Sequence, residues 1–411
     1  MLSNYKEIDK NAAVKHISIF LLVGIQHMAF LYHGRMVNVF NAAEVLSLFL
    51  FFLIFFQNKC GLEKKDFIVL SIISLPMLFW IIIQFYILHD PLIFKAWGHF
   101  FAICISAFVI VKLIGFFQFT AYLRWWCLID LLLVVIFVVF GSIEILGVNK
   151  EVYGNMVVMF HGIGFPFHLS LVDSEFIRCG GIFAHPNGLG LLSAVGMTGL
   201  VSPNLSKKKK VIWFGIFIAS FVVHESRSSV LFFGVYFILY RLLQHNKSIK
   251  SKCIDLGILS GVLIAFYSLM YLRDTSETDI TSGRSALLSQ IYQSFMGESN
   301  TIQFLGTGLG NAGNYVLHAF GRQIPFDGSY LFTLVELGYI GTALFFIILL
   351  LVIFFAARKT KFPRTIWVPF ICAFFLHAIF ESDFSGDKFI YIATMFFFLV
   401  NEKEVHQFTG G

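Results

Sequence analysis

The stretch SYLFTLVELGYIGTALFFIILLLVIFFA, residues 329–356, sets the fold class of this chain. It holds one charged residue, Glu336, and is longer than the roughly 20 apolar residues that cross a bilayer as a helix. Of the 411 residues, 58% are hydrophobic and 13% are charged, which is outside the range of soluble domains. Comparable apolar spans lie near 17–32, 41–56, 67–88, 97–115, 122–146, 184–202, 211–225, 227–243, 253–272, 365–380 and 388–401. The sequence therefore predicts an all-α polytopic membrane protein with about twelve transmembrane helices.

Lysine and arginine are distributed unequally between the two ends of these spans. If odd-numbered spans leave the cytoplasm, 21 of the 30 Lys and Arg residues lie on the cytoplasmic side, as the positive-inside rule requires. An even number of spans then places both termini in the cytoplasm. The nine on the other side include the arginines Arg35, Arg178, Arg227, Arg273, Arg284 and Arg322. Because a guanidinium group binds phosphate through paired hydrogen bonds, these arginines indicate an anionic, phosphate-bearing lipid substrate at the outer face.

Several function classes are disfavoured by the same composition. The net charge of +6 is not a nucleic-acid signal, because basic runs such as 207–210 sit at span ends, where topology and anionic lipid headgroups account for them. Of six cysteines only Cys179 falls in an outer loop, and no pair has metal-ligand spacing. The glycine-rich turn 306–310 resembles a dinucleotide signature without its βαβ context. We predict that the protein binds no metal ion and no cofactor, and that membrane lipids surround it.

Two loops, both on the predicted outer face, are long enough to carry function within what is otherwise a single integral membrane domain over 1–411. The loop 147–183 contains an apolar stretch, 156–167, that is interrupted by glycine and proline. We interpret this stretch as a re-entrant or interfacial segment. The loop 273–328 contains an amphipathic helix pattern over 285–296 and no soluble domain of its own.

Two local patterns in the first half of the chain supply candidate site residues. In Arg-Cys-Gly-Gly-Ile-Phe-Ala-His-Pro-Asn, residues 178–187, Arg178 would bind phosphate, and His185 or an outward-facing Asn187 would bind a sugar hydroxyl. A helix-entry turn with closely packed glycines is the alternative. Arg227 lies in a tight turn between two spans, where a charge is costly unless it has a partner or a task. The alternative there is an ion pair between Glu225 and Arg227 at a solvated turn.

Further candidates flank the second long loop. Arg284 precedes the amphipathic helix, whose first amide groups could hold an anion with it; a solvated arginine is the alternative. Asp327 stands at the mouth of the tenth span, where a carboxylate could accept a proton from an attacking hydroxyl or cap the helix. Glu336 lies more than two turns deeper and either serves function or packs against a polar residue. The acidic turn formed by Glu381, Asp383 and Asp387 could bind a cation or serve as a base, but we expect it to be solvated.

These patterns, in this order and on one side of the membrane, resemble the O-antigen polymerase and O-antigen ligase superfamily of bacterial envelope glycosyltransferases. The resemblance covers most of the chain. It rests on the 178–187 pattern, Ser226-Arg227, Gly283-Arg284 with the Gly-x-Gly turn after it, and the opening Ser329-Tyr330-Leu331 with Glu336-x-Gly338.

The resemblance implies a GT-C-like enzyme whose donor is an oligosaccharide linked to undecaprenyl diphosphate, with its active site at the periplasmic face of a Gram-negative inner membrane. It implies catalytic roles for Arg284 and Arg227, and a catalytic role for Asp327 is our own hypothesis from its position at the mouth of the tenth span. Substrate binding would involve Arg178, Arg227, Arg284, Arg322, His185, Asn187, Tyr330 and Glu336. A chain-length regulator protein is a candidate partner, and no nucleic acid is expected.

Polymerases and ligases of the superfamily differ just ahead of the tenth span. Ligases typically carry a His-Asn or similar pair there, whereas this chain has Asp327-Gly328, and the nearest upstream histidine is His318. The departure favours a polymerase, which joins one lipid-linked repeat unit to another. A ligase that transfers glycan to lipid A-core is the first alternative. The second is a flippase for the same lipid. A flippase should line its central cavity with charge at membrane depth, whereas the deep ionisable residues of this chain are few and acidic and its arginines lie at one face.

Overall fold

The computed structural model describes residues 10–25, 29–32, 35–38, 40–56, 64–140, 142–146, 154–160, 163–169, 177–179, 186–224, 226–244, 248–251, 284–321, 328–360, 362–381, 384 and 388–401, with scattered positions in 253–264. Its helices are α1 Lys10–Ile25, α2 Phe40–Phe56, α3 Lys64–Leu88, α4 Leu92–Leu113, α5 Phe116–Phe140, α6 Pro186–Thr198, α7 Lys207–His224, α8 Arg227–Leu243, α9 Arg284–Met296, α10 Asn300–Leu305, α11 Ala312–Phe320, α12 Ser329–Lys359, α13 Arg364–His377 and α14 Phe389–Val400. Its strands are β1 Ala29–Tyr32, β2 Arg35–Asn38, β3 Ser142–Leu146, β4 Gly154–Phe160, β5 Ile163–Leu169 and β6 Ile177–Cys179.

The helical class is confirmed. Every predicted apolar span except 253–272 overlaps one of these helices, and the described positions within 253–264 are helical as well. In the described part, four helices are long and apolar enough to cross a membrane: Lys65–Leu88, Leu92–Leu113, Phe116–Ile136 and Ser329–Arg358. Several shorter apolar helices accompany them, among them Arg364–His377 and Phe389–Val400. The count of twelve transmembrane helices and the GT-C architecture stay predictions.

The chain folds as two compact units, one formed by 1–60 and 105–226 and the other by 61–104 and 227–411. In the first unit α5, α6 and α7 pack together, and α1 packs on α5. The contact between α1 and α5 is aromatic: the Trp126 indole donates a 2.7 Å hydrogen bond to the Phe20 carbonyl and stacks on the Phe20 ring at 4.8 Å. A side chain at Gly24 would overlap Trp126, so the close approach of the two helices requires glycine there.

The first unit also contains an antiparallel sheet with the strand order β2-β1-β5-β4-β3, and β6 pairs with β5. The apolar stretch 156–167 forms most of the β4–β5 hairpin, so it is a pair of strands in this structure; its interfacial location stays a prediction. The β1–β5 pairing joins the loop after α1 to the loop after α5. Since the predicted topology assigns both loops to the outer face, the sheet agrees with that assignment.

The second unit is built around α14, where every residue from Phe389 to Val400 is buried. A helix that is apolar on all sides is stable only when it is surrounded, and α14 contacts α3, α12 and α13. α8 packs along α13, where the Phe232 ring meets the Phe370 ring at 5.6 Å. This packing brings several helix ends together at one end of the unit.

The helices α9, α10 and α11, called the loop helices below, form a small core against the start of α12. Its buried residues are Ile291 and Phe295 of α9, Ala312 and Val316 of α11, and Val335 of α12. The amphipathic helix predicted over 285–296 is therefore confirmed as α9. The sequence did not predict α10 and α11, which turn this loop into a folded layer of the second unit.

Candidate functional site

Three helix starts meet at the turn that follows α13. They are Arg227-Ser228 at the start of α8, Ser329 at the start of α12, and Lys388 just ahead of α14. Contacts to Glu381, in the turn after α13, join them, so Arg227, Ser228, Ser329, Glu381 and Lys388 are called the helix-start cluster below. The predicted topology assigns all of these helix ends to the outer face.

Glu381 is the centre of this cluster. Its carboxylate accepts a 3.0 Å hydrogen bond from the Ser228 hydroxyl on Oε1 and forms a 3.2 Å ion pair with Lys388 Nζ on Oε2. The Glu381 side chain is 1% exposed and that of Lys388 is 11% exposed. The expectation of a solvated acidic turn at Glu381 is therefore wrong. The reason is tertiary: the ends of α8, α13 and α14 enclose the carboxylate, and the ammonium group and hydroxyl compensate its loss of water.

Ser329 fixes the start of α12 in the same cluster. Its backbone N–H donates to the carbonyls of Ala378 at 2.9 Å and Glu381 at 2.8 Å, and its hydroxyl donates to the Glu381 carbonyl. The hydroxyl in turn accepts a 3.1 Å hydrogen bond from the Phe384 N–H. The first amide group of α12 is thus used internally, and the position of the helix start is set by the turn after α13.

Tyr330, a predicted substrate-binding residue, is held by packing. Its hydroxyl donates a 2.8 Å hydrogen bond to the Phe375 carbonyl. Its ring stacks on Phe346 at 5.5 Å and meets the edge of Phe384 at 5.4 Å. These contacts give Tyr330 a structural role beside the cluster; its binding role stays a prediction.

Arg227 is the first residue of α8 and is partly exposed, next to the buried Ser228. The amide groups at a helix start carry partial positive charge, so a cation is unfavourable there and an anion is favourable. The starts of α8 and α14, together with Arg227, make this end of the second unit favourable for an anion, while Lys388 is already paired with Glu381. Among the cluster residues that the structure describes, Glu381 carries the carboxylate, which is already bonded to Ser228 and Lys388.

Glu336, also a predicted substrate-binding residue, lies next to the glycine-rich turn between α10 and α11. Its Oε1 accepts hydrogen bonds from the backbone N–H groups of Gly310 at 3.0 Å and Ala312 at 3.4 Å. Its backbone carbonyl accepts from Gln84 Nε2 at 2.8 Å and from Gly308 N–H at 3.0 Å. The carboxylate therefore sits at the start of α11, where it stabilises the helix, and these contacts favour the packing alternative.

The glycine-rich turn is also bound to the turn between α3 and α4. Asn311 Nδ2 donates a 2.6 Å hydrogen bond to Asp90 Oδ2, while Asp90 Oδ1 accepts from the Leu92 N–H at the start of α4. A non-helical residue, Gly338, interrupts α12 beside this turn, with φ 67° and ψ −177°. Backbone hydrogen bonds join the glycine-rich turn to α12 just before the break, and a side-chain hydrogen bond joins the turn to the α3–α4 connection.

Replacing Gly338 by alanine should strongly destabilise the protein. The φ and ψ angles of Gly338 lie in a region that residues with a side chain rarely adopt, at a cost of about 1–3 kcal/mol. A Cβ at this position would also overlap the backbone of Phe304 and Gly306. We expect a clear fall in melting temperature of the purified protein in detergent. Gly313→Ala is the matched control, because a Cβ there meets nothing within 4 Å; an equal effect of both substitutions would contradict the prediction.

The site residues predicted in the first unit are dispersed or buried. Asn187 is 1% exposed in the first turn of α6, so its predicted outward-facing amide is wrong. The helix α6 packs against α5 and α7. The backbone of Arg178 is paired with His168 of β5. His224, at the end of α7, accepts a 3.0 Å hydrogen bond from the Ser226 N–H on Nδ1.

The structure brings together fewer of the predicted site residues than the sequence patterns suggested. Arg227 and Tyr330 lie in or beside the helix-start cluster, and Glu336 lies elsewhere in the same unit. Predictions for His185, Arg322 and Asp327, and for the side chains of Arg178 and Arg284, lie outside the described residues. In the described part of the chain, no three His, Cys, Asp or Glu residues are placed to hold a metal ion.

Sequence reasoning missed Glu381, Lys388, Ser228 and Ser329 as a connected group. Each is ordinary by itself: an acidic turn, a lysine and two serines near span ends. The available signal was positional, because all four lie at span ends that the topology assigns to one face.

Comparison of the chain with models of known protein families gives no match, and comparison with curated proteins gives none.

Proposed function

We propose that this protein is an O-antigen polymerase: a glycosyltransferase that joins undecaprenyl-diphosphate-linked oligosaccharide repeat units at the periplasmic face of a Gram-negative inner membrane. The observation that carries the proposal is the helix-start cluster, where Arg227 and Lys388 stand at converging helix starts. Apolar helices of membrane-spanning length support the location in a membrane. The proposal includes a GT-C-like arrangement of about twelve transmembrane helices with both termini in the cytoplasm.

The cluster fits the leaving group of this reaction. A diphosphate carries high negative charge, and helix starts and arginine are the groups that proteins use to hold it. The donor lipid would place its diphosphate near the membrane surface, which is where the predicted topology places the cluster. In a site of low water content, fixed positive groups of this kind can supply a large part of the rate enhancement.

The chemical step breaks one bond and forms one. A hydroxyl oxygen of the acceptor unit attacks the anomeric carbon of the donor glycan and forms the new glycosidic bond. The bond between that carbon and the diphosphate oxygen breaks, and undecaprenyl diphosphate leaves with the electron pair. Arg227 and the neighbouring helix starts would stabilise its charge, with Arg284 and Arg322 as further candidates. Asp327 would accept the hydroxyl proton.

The test uses the full-length protein in liposomes, supplied with cognate undecaprenyl-diphosphate repeat units as the only substrate. Gel analysis of the glycan should show a ladder that advances by one repeat unit, together with release of undecaprenyl diphosphate. Transfer that occurs only after lipid A-core is added would replace the polymerase by the ligase. Movement of the intact donor lipid across the bilayer without a new glycosidic bond would replace it by a flippase. Either of these results overturns the proposal.

A further inference from the structure

The loop helices expose an aromatic and sulfur-containing patch beside the polar exposed residues of α9 and α10. The patch consists of Tyr292 and Met296 of α9, Phe304 of α10 and Tyr339 of α12, whose exposed fractions are 44%, 40%, 51% and 37%. They touch one another: the Tyr339 hydroxyl donates to Met296 Sδ at 2.8 Å, and the Phe304 and Tyr339 rings meet edge to face at 6.2 Å. These four residues are called the aromatic patch below.

Most of the other exposed residues of α9 and α10 are of another kind. The other exposed residues of α9 include Ser289, Gln290 and Gln293, and α10 begins with the exposed Asn300 and Thr301. Such side chains are suited to water. The apolar face of α9 is already used, since Ile291 and Phe295 are buried in the core of the loop helices. The aromatic patch is therefore additional apolar surface that this fold leaves uncovered.

The aromatic patch is continuous with the exposed apolar side of α12. Beyond Tyr339 this helix exposes Ile340, Ile347, Leu350, Leu351 and Phe354. In a helix of membrane-spanning length, such a row is expected to face lipid acyl chains. The aromatic patch thus lies at one end of a lipid-facing surface, on the side where the loop helices are folded.

The length of α12 places that end at the membrane boundary. The helix has 31 residues and is about 46 Å long, which exceeds the hydrocarbon thickness of about 30 Å. The break at Gly338 divides it. The part from 339 onward is about 31 Å long and matches the hydrocarbon core, and the part before the break is packed against the loop helices. Tyr339 then falls at the boundary, where amphipathic rings are favoured.

We infer that the aromatic patch is a bilayer-docking surface, which holds α9 and α10 in the headgroup and upper acyl region of one leaflet. Lipid is the occupant that the continuity with α12 supports. The inference does not depend on the proposed activity. Its consequence for the fold is positional: α9 begins at Arg284, about 12 Å along the helix from Tyr292, so docking holds the start of α9 close to the membrane surface.

The first test uses the unmodified protein in nanodiscs that each hold one copy. Hydroxyl-radical footprinting should show Met296, Tyr292 and Phe304 protected, relative to a denatured reference, much more than the exposed His318 of α11. With one copy in each disc, a second copy cannot supply the protection. Oxidation of the aromatic patch at the same relative level as His318 would overturn the inference.

The second test identifies the source of the protection. Phe304→Cys and, as the matched control, Asn314→Cys would each carry an environment-sensitive fluorophore, in a background where Cys60, Cys179, Cys253 and Cys372 are replaced. Cys104 and Cys127 are buried and can stay. Quenching by brominated lipid acyl chains should be several-fold stronger at 304 than at 314. A probe at 304 that is shielded from water but not quenched by these lipids would assign the patch to protein contact and overturn the inference.

Discussion

Arg227→Ala should abolish the ladder of polymerised repeat units in liposomes, with a fall in turnover of about 10²–10³-fold, the cost typical of removing one group that stabilises developing charge. Arg227 is the partly exposed cation of the helix-start cluster, and it stands where the dipole of α8 already favours an anion. The loss should appear mainly in turnover, because charge on the leaving diphosphate grows as the glycosidic bond to it breaks.

Two variants separate this role from a structural one. Arg227→Lys keeps the charge but loses the paired hydrogen bonds of guanidinium, so it should retain part of the activity. Arg364→Ala removes an exposed arginine at the start of α13, the opposite end of that helix from Glu381, and should leave the activity unchanged. All three proteins should keep the melting temperature of the unsubstituted one within a few degrees. Full activity of Arg227→Ala would remove the cluster from the catalytic site.

The helices could be predicted from the sequence because membrane-spanning segments are specified locally. An apolar run of sufficient length must satisfy its backbone hydrogen bonds internally, and a helix does so within the segment. The predicted limits 227–243 are those of α8, and the predicted start at 329 is that of α12. In both places a short polar turn precedes a long apolar run, which leaves little freedom in where the helix begins.

The loop helices and the sheet could not be predicted in the same way. Residues 300–305 form a six-residue helix that contains no fully buried residue, and so short a sequence pattern cannot be told from that of a loop. Its stability comes from packing against α12 and from the backbone bonds around Gly338. The sheet of the first unit is joined by a pairing between two loops that are more than 100 residues apart, in which Leu31 pairs with Gly164.

In the candidate site, too, some residues could be predicted from local sequence and others depend on tertiary contacts. Arg227 could be identified because an arginine between two membrane segments is unusual by composition alone. Glu381 could not, since nothing near it in sequence indicates burial, and its partners Ser228 and Lys388 come from two other helices. Glu336 was correctly recognised as unusual, yet its hydrogen bonds to Gly310 and Ala312 show that a deep carboxylate can serve the backbone of its own fold.

Glu381→Gln should lower the stability of the protein substantially. The amide keeps the size of the side chain and can still accept the Ser228 hydrogen bond, but it removes the charge that is paired with Lys388. Breaking a buried ion pair by removing one partner costs about 3–5 kcal/mol, because the remaining charge keeps its desolvation penalty. The melting temperature in detergent should fall by several degrees. Glu298→Gln, in the turn between α9 and α10, is the matched control and should have little effect.

The double variant Glu381→Gln with Lys388→Met distinguishes the ion pair from other effects of the substitution. Removing both charges also removes the penalty of a buried ammonium group, and an uncharged pair of similar volume is often as stable as the ion pair it replaces. Much of the lost melting temperature should therefore return. The polymerising activity should not return with it, because Lys388 contributes positive charge at the proposed diphosphate site. Recovery of both would make the pair a purely structural link between α13 and α14. Recovery of neither would mean that the broken ion pair is not the source of the lost stability, which would contradict the prediction.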